Sequence, residues 1–158
     1  MSSDFAGEPI RNLLLARIEI DAELARRGIT RTAGPVIGEL AERLALNVCG
    51  GELASPGLAA VDLIAADGRR VQVKARALAR GDQRFFSFKS LSFDAAICVR
   101  FDRATYDIDW AREYTASEVE LLASRQKNDW RLRTGIASAS GLDVTPQYRS
   151  AMASLDRK

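Results

Sequence analysis

A chain of 158 residues with 47% hydrophobic content is long enough to fill one core, and 23 basic against 21 acidic residues give it no polybasic character as a whole. Histidine is absent and cysteine occurs twice, which excludes Ser-His and Cys-His catalysis, any zinc site that uses histidine, and a structural zinc site built on cysteine alone. No apolar run reaches membrane length and the N-terminus has no basic-then-apolar leader, so a cytoplasmic protein without a membrane partner is expected, with Cys49 and Cys98 as buried free thiols.

Residues 1–7 read as a frayed polar start. Glu8-Pro9 opens a helix with Ile10, Leu13, Leu14, Ile18 and Leu24 at mostly helical spacing; Arg26 and Arg27 suit its last turn and Gly28 ends it. This helix is expected outside the core or in a dimer contact, and nothing in it suggests chemistry. After a linker over 29–34, Pro35 starts a second helix that runs to about Cys49. Its apolar stripe is Leu40, Ala41, Leu44, Ala45 and Val48, which leaves Glu39, Glu42 and Arg43 on its flank or outer side. Gly50-Gly51 breaks the chain, residues 52–54 can begin a strand, and Ser55-Pro56-Gly57 turns toward Asp62.

Residues 61–76, VDLIAADGRRVQVKAR, read as a β-hairpin. Val71, Val73 and Ala75 point one way and Arg70, Gln72, Lys74 and Arg76 the other. A two-residue Asp67-Gly68 turn would set Asp62 opposite Val73 and mix an acid into the apolar face. A three-residue loop of Ala66, Asp67 and Gly68, with glycine in the left-handed position, pairs Val61 with Val73 and Leu63 with Val71 and sets Asp62 across from Gln72, with Lys74 on its diagonal. A carboxylate, an amide and an ammonium then share one face of a two-stranded platform.

Residues 78–83 read as a mobile basic loop. Phe93 reads as core, whereas Phe85 and Phe86, mixed with Arg84, Ser87 and Lys89, are open between packing and base stacking. The run DAAICVRF over 94–101 is expected as a buried central strand, and residues 106–110 as its neighbour, with Tyr106, Ile108 and Trp110 on one face. Thr115 or Ser117 caps a helix over 118–124. Residues 128–133 suit a short strand, 135–141 a Ser/Ala-rich loop, and Thr145-Pro146 starts a last helix to about Leu155.

Asp62, a nine-residue gap and Gln72-Val73-Lys74 resemble the core of the PD-(D/E)xK nuclease superfamily, and the wider stretch 38–76 resembles small uncharacterised bacterial members of it, with Gln72 in place of the usual second acid. The resemblance implies an α/β (α+β) fold: a restriction-endonuclease-like core with a central mixed sheet flanked by helices, plus an extra N-terminal helix. One domain would then comprise an extension and linker (1–34), the core (35–124) and a C-terminal extension (125–158). It also implies Mg²⁺ or Mn²⁺ held by Asp62, the Gln72 side-chain oxygen and the Val73 backbone carbonyl. Glu39, matching an acid on the preceding helix, would join through water or supply the missing second charge, and Lys74 would hold the attacking water and stabilise the charge that builds on phosphorus. Asp62, Gln72, Lys74 and Glu39 form this candidate catalytic set. Without function, Asp62 and Lys74 would be a cross-strand ion pair worth up to ~1 kcal/mol, and Glu39 a solvated acid in an early helical turn.

Residues 69–89 contain seven basic residues and one acid, Asp82. Arg69, Arg70, Arg76, Arg80, Arg84 and Lys89 are the candidate nucleic-acid contacts, although a solvated basic face would have the same composition. The expected function is a metal-dependent nuclease, on DNA more than RNA, in restriction, repair or defence, and the resemblance is compatible with a homodimer. The alternative is a non-catalytic nucleic-acid-binding or partner-binding protein with a degenerate nuclease fold.

Overall fold

Pro9 and Pro35 each precede a helix and donate no backbone N–H, which suits the unpaired N-terminal turn. In the computed structural model, which describes residues 4–32, 35–56 and 60–156, they introduce α1 (Ile10–Arg26) and α2 (Val36–Cys49). The rest follows as β1 (Glu52–Leu53), β2 (Leu63–Ile64), β3 (Arg70–Leu78), β4 (Phe85–Phe88), β5 (Ala95–Asp102), β6 (Ile108–Thr115), α3 (Ala116–Leu122), β7 (Ser124–Arg125), β8 (Trp130–Arg133), α4 (Thr134–Ser138), β9 (Leu142–Asp143) and α5 (Thr145–Ser154). No helix among the described residues is long and apolar enough to cross a membrane.

The architecture is mixed α/β. A six-stranded sheet runs β1-β2-β3-β5-β6-β9, and a three-stranded sheet runs β4-β8-β7. β3 and β5 are parallel, with Val71 beside Ala95 and Lys74 beside Cys98, while the other neighbours in the large sheet are antiparallel. A parallel pair needs a crossover. Here it passes through β4 in the second layer instead of through a helix.

Both faces of the large sheet are covered, which explains why β5 is almost continuously apolar. Ile97, Val99 and Phe101 pack with Leu40, Leu44, Tyr148 and Ala151 under α2 and α5. Ala96 and Cys98 pack with Phe86, Phe88, Phe93, Tyr114, Val119 and Leu132 toward the small sheet, α3 and α4. Cys98 is buried as expected, whereas Cys49 is only partly so. α1 stands apart from both cores and buries none of its residues.

Several expectations are corrected by tertiary context. Tyr106, Ile108 and Trp110 do not share a face. The β5–β6 register shifts between Arg100 and Phe101, so Trp110 pairs with Arg100 and Ile108 with Phe101, and Tyr106 sits exposed at φ 61° in the preceding turn. Residues 135–138, expected within a loop over 135–141, form α4 with Thr134; it buries Thr134 and Ala137, the latter in the second core. Thr115, not Ser117, caps α3, in a capping box with Glu118. The expected mobile loop after β3 is fastened by Arg100, whose guanidinium donates to the carbonyls of Ala79 and Asp82. The segment read as a C-terminal extension supplies β8 to the small sheet, β9 to the large one, and Tyr148 and Ala151 to the first core.

Candidate active site

The hairpin loop forms as the turn chemistry requires. Gly68 has φ 87°, its N–H donates to the Ala65 carbonyl at 2.9 Å, and Leu63 faces Val71. Beyond Leu63 the ladder departs from the expected register, because the Asp62 N–H donates to the carbonyl of Val71 at 2.8 Å. Val61 and Val73 therefore do not pair. The reason lies in the Asp62 side chain: its Oδ2 accepts from the Gln72 amide and from the Val73 backbone N–H, each at 2.7 Å. A carboxylate thus occupies the ladder position that Val61 would have taken, and it satisfies a backbone donor at the strand edge. In an extended residue the N–H and C=O share an edge, so the Val73 carbonyl opens on the same side as Asp62.

Gln72 is buried and Lys74 half-buried. Burial lowers the Lys74 pKa, opposed by the charge of Asp62, and its Nζ lies 5.7 Å from the centre of the Phe88 ring. The ammonium has no ion pair among the described residues, so its attraction to Asp62 acts over a longer distance.

α2 supplies two acids one turn apart on one side. Glu39 is tied to the linker. Its Oε1 accepts from the backbone N–H groups of Arg31 and Thr32, at 3.1 and 3.0 Å, and from the Thr32 hydroxyl at 3.1 Å. Its Oε2 is buried without a hydrogen-bond partner among the described residues. Glu42, expected on the flank or outer side, instead turns toward Asp62, and its side chain is only 23% exposed. Burial first, then the charge of Asp62, push its carboxyl up to about 7; Glu39 adds to the rise, and the Arg31 guanidinium at 3.9 Å opposes it.

These groups line one cleft of about 450 Å³ between the N-terminal half of α2, the bend at Asp62 and β3, with Glu39, Glu42, Asp62, Val73 and Lys74 among its walls. A larger cleft of about 580 Å³ lies between α1, α2 and α5, but Leu24, Leu40, Leu46, Met152 and Leu155 make it mainly apolar and it contains no acid pair. The smaller cleft is therefore the chemical one. Asp62, Lys74 and Glu39 are brought together there, whereas the buried Gln72 is not part of its wall and reaches it only through its hydrogen bond to Asp62. Glu42 was missed, although the i, i+3 spacing from Glu39 was available as a signal. Among the described residues no three His, Cys, Asp or Glu side chains converge as a metal-binding group.

The basic residues divide. Arg69 is committed to Asp67 at 2.8 Å and to Glu113, and Arg70 to Asp94 at 3.3 Å. Arg76 donates to the Phe85 carbonyl at 3.0 Å, Arg84 pairs with Asp82 at 3.4 Å, and Arg80 and Lys89 are exposed. The last four surround the small sheet rather than the far end of the hairpin. No protein-family model matches the chain, and no curated protein matches it.

Proposed function

We propose that this cleft is the active centre of a metal-dependent nuclease with a restriction-endonuclease-like core, cleaving phosphodiesters of DNA in preference to RNA, in restriction, repair or defence. The observation that carries this reading is the meeting of Asp62 and Glu42 in one cleft with a half-buried lysine that has no ion-pair partner among the described residues. Two carboxyls held close together favour sharing a proton or a cation, and burial first, then the charge of Asp62, raise the Glu42 pKa in the same direction.

The donor set fits Mg²⁺ or Mn²⁺, which need one or two carboxylates with neutral oxygens and water for the rest. Asp62 and Glu42 would hold the ion with the Val73 carbonyl, and Glu39 would contribute through water. Bound there, the ion would lower the pKa of a coordinated water and neutralise charge on the phosphate. Gln72 fixes Asp62 through its amide N–H, a role different from the expected oxygen ligand. Lys74 orients the attacking water and stabilises the oxyanion charge that develops on phosphorus. A homodimer fits this reading, with the exposed Ile10, Leu14 and Ile18 of α1 as its apolar surface.

Labelled duplex, single-stranded DNA and RNA should be incubated with Mg²⁺ or Mn²⁺ and wild type, Asp62→Asn or Lys74→Ala. Metal-dependent cleavage lost in both variants supports the reading. The rival is a binding protein with a degenerate site, favoured by Gln72 acting as donor and by the lack of a three-acid group among the described residues. Intact substrates, or variants as active as wild type, would select it.

A further inference from the structure

The outward face of the small sheet has a composition that neither core requires. Along β4, Phe86 and Phe88 are 2% and 0% exposed and face the second core, so Phe85 and Ser87 point away from it. On β8 the residues beside them are Arg133 and Arg131, both exposed. The Arg131 guanidinium lies 4.6 Å from the centre of the Phe85 ring and that of Arg76 lies 5.8 Å from it. Arg131 is held by Asp129 at 3.1 Å, and Asp129 is in turn held by the Ser87 hydroxyl at 2.6 Å. A partly open aromatic ring therefore lies close to two guanidinium groups, one of them anchored to the sheet through Asp129 and Ser87.

β3 links this face to the cleft, since Arg76 donates to the Phe85 carbonyl at 3.0 Å. Arg76 follows Lys74 by two residues on the same face of β3, about 7 Å along the strand. Asp82, Asp94 and Asp129 are the acids of β4, β7, β8 and their adjoining loops, against Arg80, Arg84, Lys89, Arg125, Lys127, Arg131 and Arg133, with Arg76 added from β3. Such an excess suits a polyanion. A flat aromatic ring among arginines selects further: paired bases are stacked inside a duplex and cannot reach it, whereas unpaired bases stack on aromatic and guanidinium planes alike.

We propose that the outward face of the β4-β8-β7 sheet holds an unpaired nucleotide strand, one base stacking on Phe85 and Arg131 and the adjoining phosphates taken by Arg133, Arg84 and Arg76. It rests on the nuclease reading only in that the held strand is that site's substrate. The bases would lie within a few nucleotides of Lys74, and the preferred substrate is an unpaired end or flap rather than plain duplex.

The test is fluorescence anisotropy in chelator, so that nothing is cleaved, with labelled oligo-dT, oligo-U and a duplex. Wild type should bind the oligomers more tightly than the duplex. Phe85→Leu should weaken oligomer binding about tenfold with little effect on duplex, and Phe85→Trp should retain it. Arg133→Ala should lower the slope of log affinity against log salt by roughly 0.7, the value for one phosphate of a single strand. Thermal unfolding of Phe85→Leu and retained binding in Phe85→Trp separate stacking from folding. Binding of either oligomer through Phe85 supports the site, and their ratio distinguishes DNA from RNA. Phe85→Leu binding like wild type, duplex bound as tightly as the oligomers, or no binding at all would overturn it. A chain that holds oligo-dT through Phe85 yet cleaves nothing would refute the nuclease reading alone. A Phe85→Leu variant that cleaves normally and binds as before would refute this site alone.

Discussion

Glu42 is the residue whose replacement tests the cleft most directly. Its carboxyl ionises near 7 in the folded chain against an ordinary 4.5, through burial and the charge of Asp62. Between those values the folded protein keeps a proton that the unfolded chain has released, so folding stability falls as pH rises through this window. The loss is complete above about pH 7. At 1.36 kcal/mol for each tenfold change in proton affinity, this amounts to about 3 kcal/mol, an upper figure because the side chain keeps some contact with water. Glu42→Gln removes the titration while preserving shape. The expected result in urea denaturation is a variant equal to wild type near pH 4.5 and more stable by about 2–3 kcal/mol at pH 8. Added Mg²⁺ should narrow that gap by stabilising wild type more than the variant. Comparing the two proteins at each pH cancels every other carboxylate. A gap that stays constant from pH 4.5 to 8 would refute the reasoning, since neither burial nor Asp62 would then raise the Glu42 pKa on folding.

Gln72→Glu should place a second carboxylate where an amide now donates to Asp62 at 2.7 Å; without divalent ion it is expected to destabilise by about 1–3 kcal/mol, and its melting temperature should respond more strongly to Mg²⁺ than that of wild type. An equal response in both proteins would contradict a cation site beside Gln72. Gly51→Ala should cost about 3 kcal/mol or more, because Gly51 has φ 87° and a Cβ there would lie 1.9 Å from the Ile64 carbonyl oxygen; urea unfolding measures it, and a near-neutral change would mean that β1 and β2 separate easily. Ile10→Ser with Leu14→Ser and Ile18→Ser should leave the unfolding midpoint almost unchanged, since these side chains are 72%, 57% and 63% exposed, yet abolish self-association in sedimentation velocity. A fall in stability with no change in mass would refute the dimer surface.

The parts of the fold legible in the sequence are those decided locally. The stripe of α2, the Ala66-Asp67-Gly68 loop, the apolar run of β5 and the Thr145-Pro146 start of α5 each carry their own periodicity or turn chemistry, and each forms. What was not legible depends on partners distant in the chain. Phe85 and Phe86 could not be separated until β8 fixed which of them faces Leu132 and which faces solvent. β7 and β9 are two residues each and exist through pairing with β8 and β6. The bulge at Asp109, between Ile108 and Trp110, turned a regular alternation to opposite faces. In the site, Asp62, Gln72 and Lys74 were readable because they share a hairpin. Glu42 was not, because the apolar stripe of α2 gives only an average direction, and it is the bend at Asp62 that draws the flank of the helix into the cleft.

That difference between strand and helix bears on how the site would take a cation. An acid at position 72 would ionise beside Asp62 at the same edge; the amide instead donates there and adds no charge. In the proposed site Glu42 would supply the second negative charge, and with its carboxyl pushed up to about 7 it would be mostly protonated at pH 6. Ion binding at that pH has to displace the proton, so the two are linked. Titration calorimetry of Mn²⁺ at pH 6 in two buffers of different ionisation enthalpy should show about one proton released per ion, and at pH 8.5 almost none. Apparent affinity should accordingly rise by up to about tenfold for each pH step below about 7 and level off above it. Glu42→Gln should bind more weakly with no proton release at either pH, while Glu39→Gln, at a position whose Oε1 is already occupied by the linker, should keep the release. Proton release unaffected by Glu42→Gln would move the charge to another group and remove Glu42 from the ligand set. Release that vanishes in Glu42→Gln and persists in Glu39→Gln would identify the helix as the source of the acid that the strand lacks.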